Sequence, residues 1–253
     1  MNRLVVIGAG DVGGRVAAAW VELGGVAVGI TSSDARHDAL RRVGVEPSLV
    51  RPSLVVGPGD LVLLATPGSA SQLAMAEGLR GVTCERLLIT STTGYHGLVD
   101  GAVLADDPPG DGDRADLAMR AERAARAVIE SVVVLRLGGL YRVGRGPLAA
   151  LLRRGSAPHG PADRPLPLVH VHDAVTAIVG ALNHPAPRPT YLVVTPPVPT
   201  RAAFYSLACA RHGLLAPTGW PTLSLEPASY DARGLSEILP EPVHSDWREA
   251  TEA

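Results

Sequence analysis

Arg3-Leu4-Val5-Val6-Ile7 runs directly into Gly8-Ala9-Gly10-Asp11-Val12-Gly13-Gly14, a helical run follows from Arg15 to Leu23, and Val26-Ala27-Val28-Gly29-Ile30-Thr31 is apolar again. A short apolar run rich in β-branched residues reads as a buried parallel strand. Two such runs flank a helix that carries small residues at Ala17, Ala18 and Ala19, so the unit is βαβ. The glycines between strand and helix have separate tasks. Gly8 makes the tight turn, Gly10 lets the backbone approach a pyrophosphate, and Gly13 lets the helix approach the strand. Free N–H groups and the dipole at the helix start, where Asp11 and Val12 stand, favour a phosphate. The stretch predicts a dinucleotide site.

Composition narrows the remaining classes. A net charge of -2 argues against a nucleic-acid surface. No apolar run is long enough for a membrane span, and the chain enters a strand at once, which predicts no signal peptide and a cytoplasmic protein. Cys84 and Cys209 suggest neither a disulfide framework nor a metal site, and no metal is expected. All 23 basic residues are arginine. A Schiff-base lysine, a P-loop lysine and a lysine general base are therefore excluded.

Further strands and helices alternate along the chain. Thr31, Ser32 and Ser33 form the tip of the second strand without a carboxylate, and Arg36 stands one turn on. An arginine near that tip suits a 2′-phosphate, so NADP is expected, with NAD as the alternative. A short strand is expected at Leu54-Val55-Val56 and a buried one at 60–66, whose end, Ala65, Thr66 and Pro67, faces the same ligand. Another strand over 86–91 leads into Thr92-Thr93-Gly94-Tyr95-His96-Gly97. Residues 98–113 lack a period, and a loop of that length is usually functional or mobile, so it is a candidate lid. A helix over 114–129, a sixth core strand over 132–137, and helices over 147–154, 173–183 and from Thr200 to His212 complete the pattern, with a strand at 191–195. The expected architecture is α/β: a doubly wound parallel Rossmann sheet with a small C-terminal α/β substrate lobe. The expected division is a dinucleotide domain over 1–140, with 165–185 packing back onto it, and a lobe from 141–164 and 186–253.

Several segments together resemble the extended and atypical short-chain dehydrogenase/reductase superfamily, of the NAD-dependent epimerase/dehydratase type. IGAGDVGGRVA is similar to its fingerprint, ITSTTGYHG to its S-S-T-x-V-Y-G stretch, VLRLGGLYRVGR to its L-R-L-x-x-I-Y-G-P-G-R stretch, and VHVHDAVTAI to its I-H-V-D-D-x-A-x-A stretch. YLVVTPPVPTRAAFYSLACA resembles the late strand, V-P and helix. The resemblance implies a substrate hydroxyl contact at Thr92 and substrate contacts at Gly138, Tyr141, Arg145 and His170. It also implies a Tyr-x-x-x-Lys pair, but Arg114 and Ala118 occupy those two positions. The proton donor must then come from elsewhere, and Tyr95 and His96, beside Thr92, are the candidates.

The leading expectation is a reductase or epimerase-like enzyme that binds NAD(P) and acts on a small molecule. The alternatives are a non-redox dehydratase, isomerase or cyclase of secondary metabolism, and a catalytically silent NAD(P)-binding sensor. A homodimer through the Ala- and Leu-rich helix face from Leu117 to Val128 is a further expectation.

Overall fold

The structure is a computed structural model and describes residues 2–98, 100–158, 160–224, 226 and 228–252. The chain begins with β1 (Leu4–Ile7), α1 (Asp11–Glu22), β2 (Ala27–Ile30), α2 (His37–Arg42) and β3 (Glu46–Ser48). β4 (Leu61–Leu64), α3 (Ser69–Glu77), β5 (Arg86–Thr92), β6 (Ala102–Val103), α4 (Asp113–Val128) and β7 (Val132–Leu137) follow. The last part holds β8 (Gly139–Tyr141), α5 (Pro147–Arg154), β9 (Leu168–His170), α6 (Val171–Asn183), β10 (Thr190–Val193), α7 (Arg201–Arg211) and β11 (Ser229–Tyr230).

Seven strands form one sheet in the order β10-β7-β5-β4-β1-β2-β3, and every neighbouring pair is parallel. Side chains alternate across a strand, so each central strand feeds two cores. Leu4 and Val6 of β1 join Val16, Ala17 and Trp20 of α1 and Ala174, Ala177 and Ile178 of α6. Val5 and Ile7 point the other way, to a core shared with Leu64, Ile89, Leu79, Ala121 and Ala125. Each fully buried Leu, Val or Ile contributes about 1.5–3 kcal/mol. Apolar strands covered on both faces therefore hold the sheet, as their unbroken hydrophobic runs imply. A third core, built from Tyr141, Leu148, Leu151, Leu168, Phe204, Tyr205 and Trp247, marks the C-terminal lobe.

Four expectations change. Residues 54–56 are not a strand; Pro52–Leu54 forms a 3-10 turn, and the strand of this region is β3. β3 holds Pro47, which costs little because β3 is the sheet's edge. The strand at 190–193 belongs to the central sheet, where it pairs with β7, and not to the lobe. The apolar face of α4 is largely used within the chain: Ala121 and Ala125 are buried in the core beneath it, Ala124 and Val128 pack against that core and Leu117 lines the cleft, so the face gives no support to a homodimer. The candidate lid segment is pinned over residues 100–113. Gly110 N–H donates to Tyr95 O at 3.0 Å, and the Ala105 carbonyl accepts from Arg136 at 3.0 Å. β6 within it pairs with β11. These ties leave little of it free to act as a lid.

Candidate functional site

Parallel sheets bind ligands outside the C-terminal ends of their strands. Here a cleft of about 690 Å³ opens at the ends of β1, β4, β5 and β7, a volume within the range of small-molecule and cofactor sites. The β1–α1 turn forms one side. Gly8 has φ +92°, and a Cβ on it would stand 2.7 Å from Thr66 N. A Cβ on Gly13 would press on the Gly8 carbonyl and come within 2.8 Å of Val6 Cγ1. Both glycines hold the turn tight. Gly10 differs, because a Cβ there would meet nothing within 4 Å, and the space belongs to the cleft. Gly10 is also the N-cap of α1 and supplies no side-chain cap, so the open end of the helix faces the cleft. Across from it the Thr66 hydroxyl is buried with no partner among the described residues. An open cradle, an uncapped helix start and an orphaned hydroxyl fit a dinucleotide pyrophosphate and its ribose. Below them Gln72 closes the floor, its amide donating to Thr66 O at 3.2 Å and also to Thr90 O.

Asp11, the first residue of α1, gathers three arginines. Arg15 donates to it at 3.3 Å, Arg142 at 3.2 Å, and Arg145 through its Nη1. The tight turn after β8 brings the last two together, with Arg145 N donating to Arg142 O at 2.9 Å. Burial works against the Asp11 charge, but the hydrogen bonds from Arg145, Arg15 and Arg142 outweigh it and hold the carboxyl below its usual range. One carboxylate against three guanidiniums leaves this mouth of the cleft positive.

The end of β5 carries Thr92. Its Oγ1 accepts from Gly94 N at 3.1 Å and caps the 3-10 turn Thr93–His96. The hydroxyl proton remains free to be donated into the cleft. Tyr95 and His96 turn the other way, behind the cleft wall. Arg136, 3% exposed, stacks on the Tyr95 ring with its guanidinium carbon 3.3 Å from the centroid. Its Nη1 lies 3.3 Å from His96 Nε2, and its Nη2 donates to Glu122 Oε2 at 2.9 Å. Ser91 Oγ donates to Glu122 Oε1 at 2.5 Å. Burial, and next the Arg136 charge, push the His96 imidazole down to about 4, so it is neutral near pH 7.

Of the residues singled out from the sequence, Gly10, Asp11, Val12, Ala65, Thr66, Pro67, Thr92, Gly138 and Arg145 line this one cleft. Gly8 and Gly13 support it from behind. Thr31, Ser32, Ser33 and Arg36 stand beyond it at the tip of β2. There Thr31 Oγ1 donates to Ser33 O at 2.7 Å and lies 2.9 Å from His37 Nε2, while Arg36 is exposed. The Ile30 carbonyl accepts from both Gly8 N and Ala9 N at 3.0 Å, which ties that tip to the glycine turn. Four more of these residues are not on the cleft. Tyr95 and His96 face the Arg136 pair, because an arginine inside an apolar strand has to bury its charge among partners. Tyr141 and His170 lie edge to face, with ring centroids 5.1 Å apart, in the C-terminal lobe. His170 accepts from His172 N at 3.1 Å as the cap of α6. The sequence reading missed Gln72, Ser91 and, as a cleft residue, Arg114. Gln72 carried a signal, a polar side chain on the inward face of α3 one turn from its start. Among the described residues no group of three or more His, Cys, Asp or Glu is placed to hold a metal, and no helix is long and apolar enough to cross a membrane.

No protein-family model and no curated protein sequence matches the chain. Solved structures do. A functionally unknown conserved protein from Silicibacter pomeroyi is 23% identical, with 100% of this chain and 98% of that one covered and a TM-score of 0.76. UDP-glucuronic acid 4-epimerase from Bacillus cereus, in complex with UDP-glucuronic acid and NAD, is 16% identical, over 100% and 97% of the two chains, with a TM-score of 0.76. Human epimerase family protein SDR39U1 with NADPH is 17% identical, over 100% and 98%, with a TM-score of 0.75. The chain shares the α/β fold of these proteins. At such identities the likeness speaks for the fold, and what the cleft does is argued from its own residues.

Proposed function

We propose that this protein binds a nicotinamide dinucleotide in the cleft and acts on a small molecule as a reductase or epimerase-like enzyme. The observation that carries the binding is the Gly10 cradle: open space at an uncapped helix start, facing the orphaned Thr66 hydroxyl. The Bacillus cereus epimerase with NAD and the human protein with NADPH support the same reading. Bound there, the cofactor would supply or accept hydride. Gly10, Val12 and the start of α1 hold the pyrophosphate, Thr66 and Pro67 the neighbouring ribose, and Thr92 donates a hydrogen bond to the substrate oxygen. Arg36, exposed at the β2 tip and with no ion pair among the described residues, favours the 2′-phosphate of NADP over NAD.

One observation favours a second reading. Among the described residues lining the cleft there is no Tyr, His or Lys, and its one carboxylate, Asp11, is held ionised by three arginines. A proton for a carbonyl reduction would then come through water or the substrate itself. This supports a non-redox dehydratase, isomerase or cyclase on the same scaffold, or a silent NAD(P) sensor.

Fluorescence titration of NADPH and NADH tests the binding. Gly10→Val fills only open space, so the fold should persist while NADPH affinity falls about tenfold or more. Unchanged affinity in a folded variant overturns the dinucleotide reading. Wild-type affinity for NADPH no better than for NADH removes the role given to Arg36. Oxidation of NADPH with a carbonyl panel then separates the redox reading from the second one.

A further inference from the structure

Two arginines line the cleft, and they are in different states. Arg145 is committed to Asp11. Arg114, the second residue of α4, has no ion pair or hydrogen bond among the described residues. Its own helix offers acidic neighbours, yet it uses none of them. Asp113 and Asp116 flank it in the first turn, and Asp116 instead faces Arg120 at 4.0 Å. The Arg114 side chain leans over the end of β5. A Cβ placed on Gly94 would lie 3.7 Å from Arg114 Nε and 3.3 Å from Thr92 Oγ1, so both polar groups border the same small space. Gly138, Leu137 and Leu140 form the facing wall, which is apolar apart from its backbone. A planar guanidinium with five donors, beside a hydroxyl and against an apolar wall, is a receptor for a planar or tetrahedral oxyanion.

We propose that the second ligand of this cleft is an anion: a small molecule carrying a carboxylate or phosphate, gripped by Arg114 beside the Thr92 hydroxyl. The assignment rests on the reading that the glycine-turn end of the same cleft takes the dinucleotide, which leaves the β5 end for the substrate. It also gives the Tyr-to-Arg departure at position 114 a use. Where a phenol would exchange a proton, a guanidinium fixes charge. The substrate's own anionic group then sets its orientation, and its reacting carbon falls toward the Thr92 hydroxyl.

Calorimetry on the full chain tests this with malonate, inorganic phosphate and neutral malonamide as probes, titrated into protein with and without saturating NADPH. The expectation is that malonate or phosphate binds the wild type and malonamide does not. Arg114→Ala and Arg114→Gln should each weaken the bound anion about tenfold or more, the scale for losing a charged hydrogen bond. Arg114→Lys should retain part of the affinity, and NADPH affinity should stay within about twofold in all three. Which of the two anions binds identifies the group. Thermal melts check folding, and the exposed Arg114 gives the conservative variants little to disturb. The proposal is overturned if malonamide binds as well as malonate, if neither anion binds the wild type in either state, or if the Arg114 variants bind anion unchanged. A fall in NADPH affinity matching that of the anion also overturns it, since Arg114 would then serve the cofactor. If NADPH fails to bind the wild type, the dinucleotide reading falls, and the anion titrations without NADPH still decide the role of Arg114.

Discussion

The two ends of the cleft are built from different materials. At the β1–α1 end the turn is backbone: Gly10 lines the cleft at a helix start, Gly8 and Gly13 hold the turn from behind, and Thr66 adds one hydroxyl, with the Asp11–arginine cluster at the mouth. At the β5–β7 end the surface rests on side chains. Arg136, Glu122, Ser91, His96 and Tyr95 interlock beneath Thr92, joining residues as far as 41 positions apart. The first end depends on close approach and fails when volume is added. The second depends on paired charge and fails when a partner is removed. Divergence at the second end can therefore alter what is bound there while the first end still takes a common cofactor.

The sharpest way to break this contrast is Glu122→Ala. Glu122 and Arg136 are 1% and 3% exposed, so the variant leaves a guanidinium buried without its counter-ion. Losing one partner of a buried pair costs about 3–5 kcal/mol. Chemical denaturation should show that loss. Glu122→Leu combined with Arg136→Met should cost less than the sum of the two single changes. Additive effects would show that the pair does not hold the β5–β7 end together.

His96 tests the same end through pH. Its folded value of about 4 lies below its ordinary 6.5, so between those values the unfolded chain takes up a proton that the fold refuses. The stability the neutral ring contributes is complete above pH 6.5 and is lost as pH falls toward about 4. The size of that loss is about 2–3 kcal/mol. Denaturant midpoints measured from pH 7.5 to 4 should fall more steeply in the wild type than in His96→Gln. Parallel curves would mean that the ring is not held neutral against Arg136.

What was legible in the chain follows the same division. The βαβ unit and the roles of Gly8, Gly10 and Gly13 are local, and strand, turn and helix lie within one short stretch, so spacing alone predicts them. The helix start expected at Thr200 is local too: the Thr200 hydroxyl accepts from Ala203 N at 3.1 Å and caps α7. The burial of Tyr95 and His96 was not legible. It is set by Arg136, a partner from another strand whose one trace in the sequence is a charge inside Val-Val-Val-Leu-Arg-Leu. The Asp11 cluster was hidden for the same reason, since Arg142 and Arg145 reach it across more than 130 positions. Tyr141 followed a motif resemblance into the site, but packing against His170 and the lobe core places it elsewhere.

The backbone-built end has a smaller test that separates its two kinds of glycine. Gly13→Ala adds one methyl group where the Gly8 carbonyl and Val6 Cγ1 already stand. Helix and strand must separate, and overpacking of this kind costs about 1–3 kcal/mol. Gly10→Ala adds the same methyl group to open space, at a position whose φ of −82° is negative. Its effect on stability should stay within about 1 kcal/mol, the scale of an N-cap change. Gly13→Ala should therefore lower the melting temperature and weaken NADPH only as far as the turn is displaced. Gly10→Ala should leave melting nearly unchanged and weaken NADPH directly, less than Gly10→Val does. Equal melting losses in the two alanine variants would mean that Gly10 is a packing glycine like Gly13. The open cradle at the helix start would then lose its claim to be a binding surface.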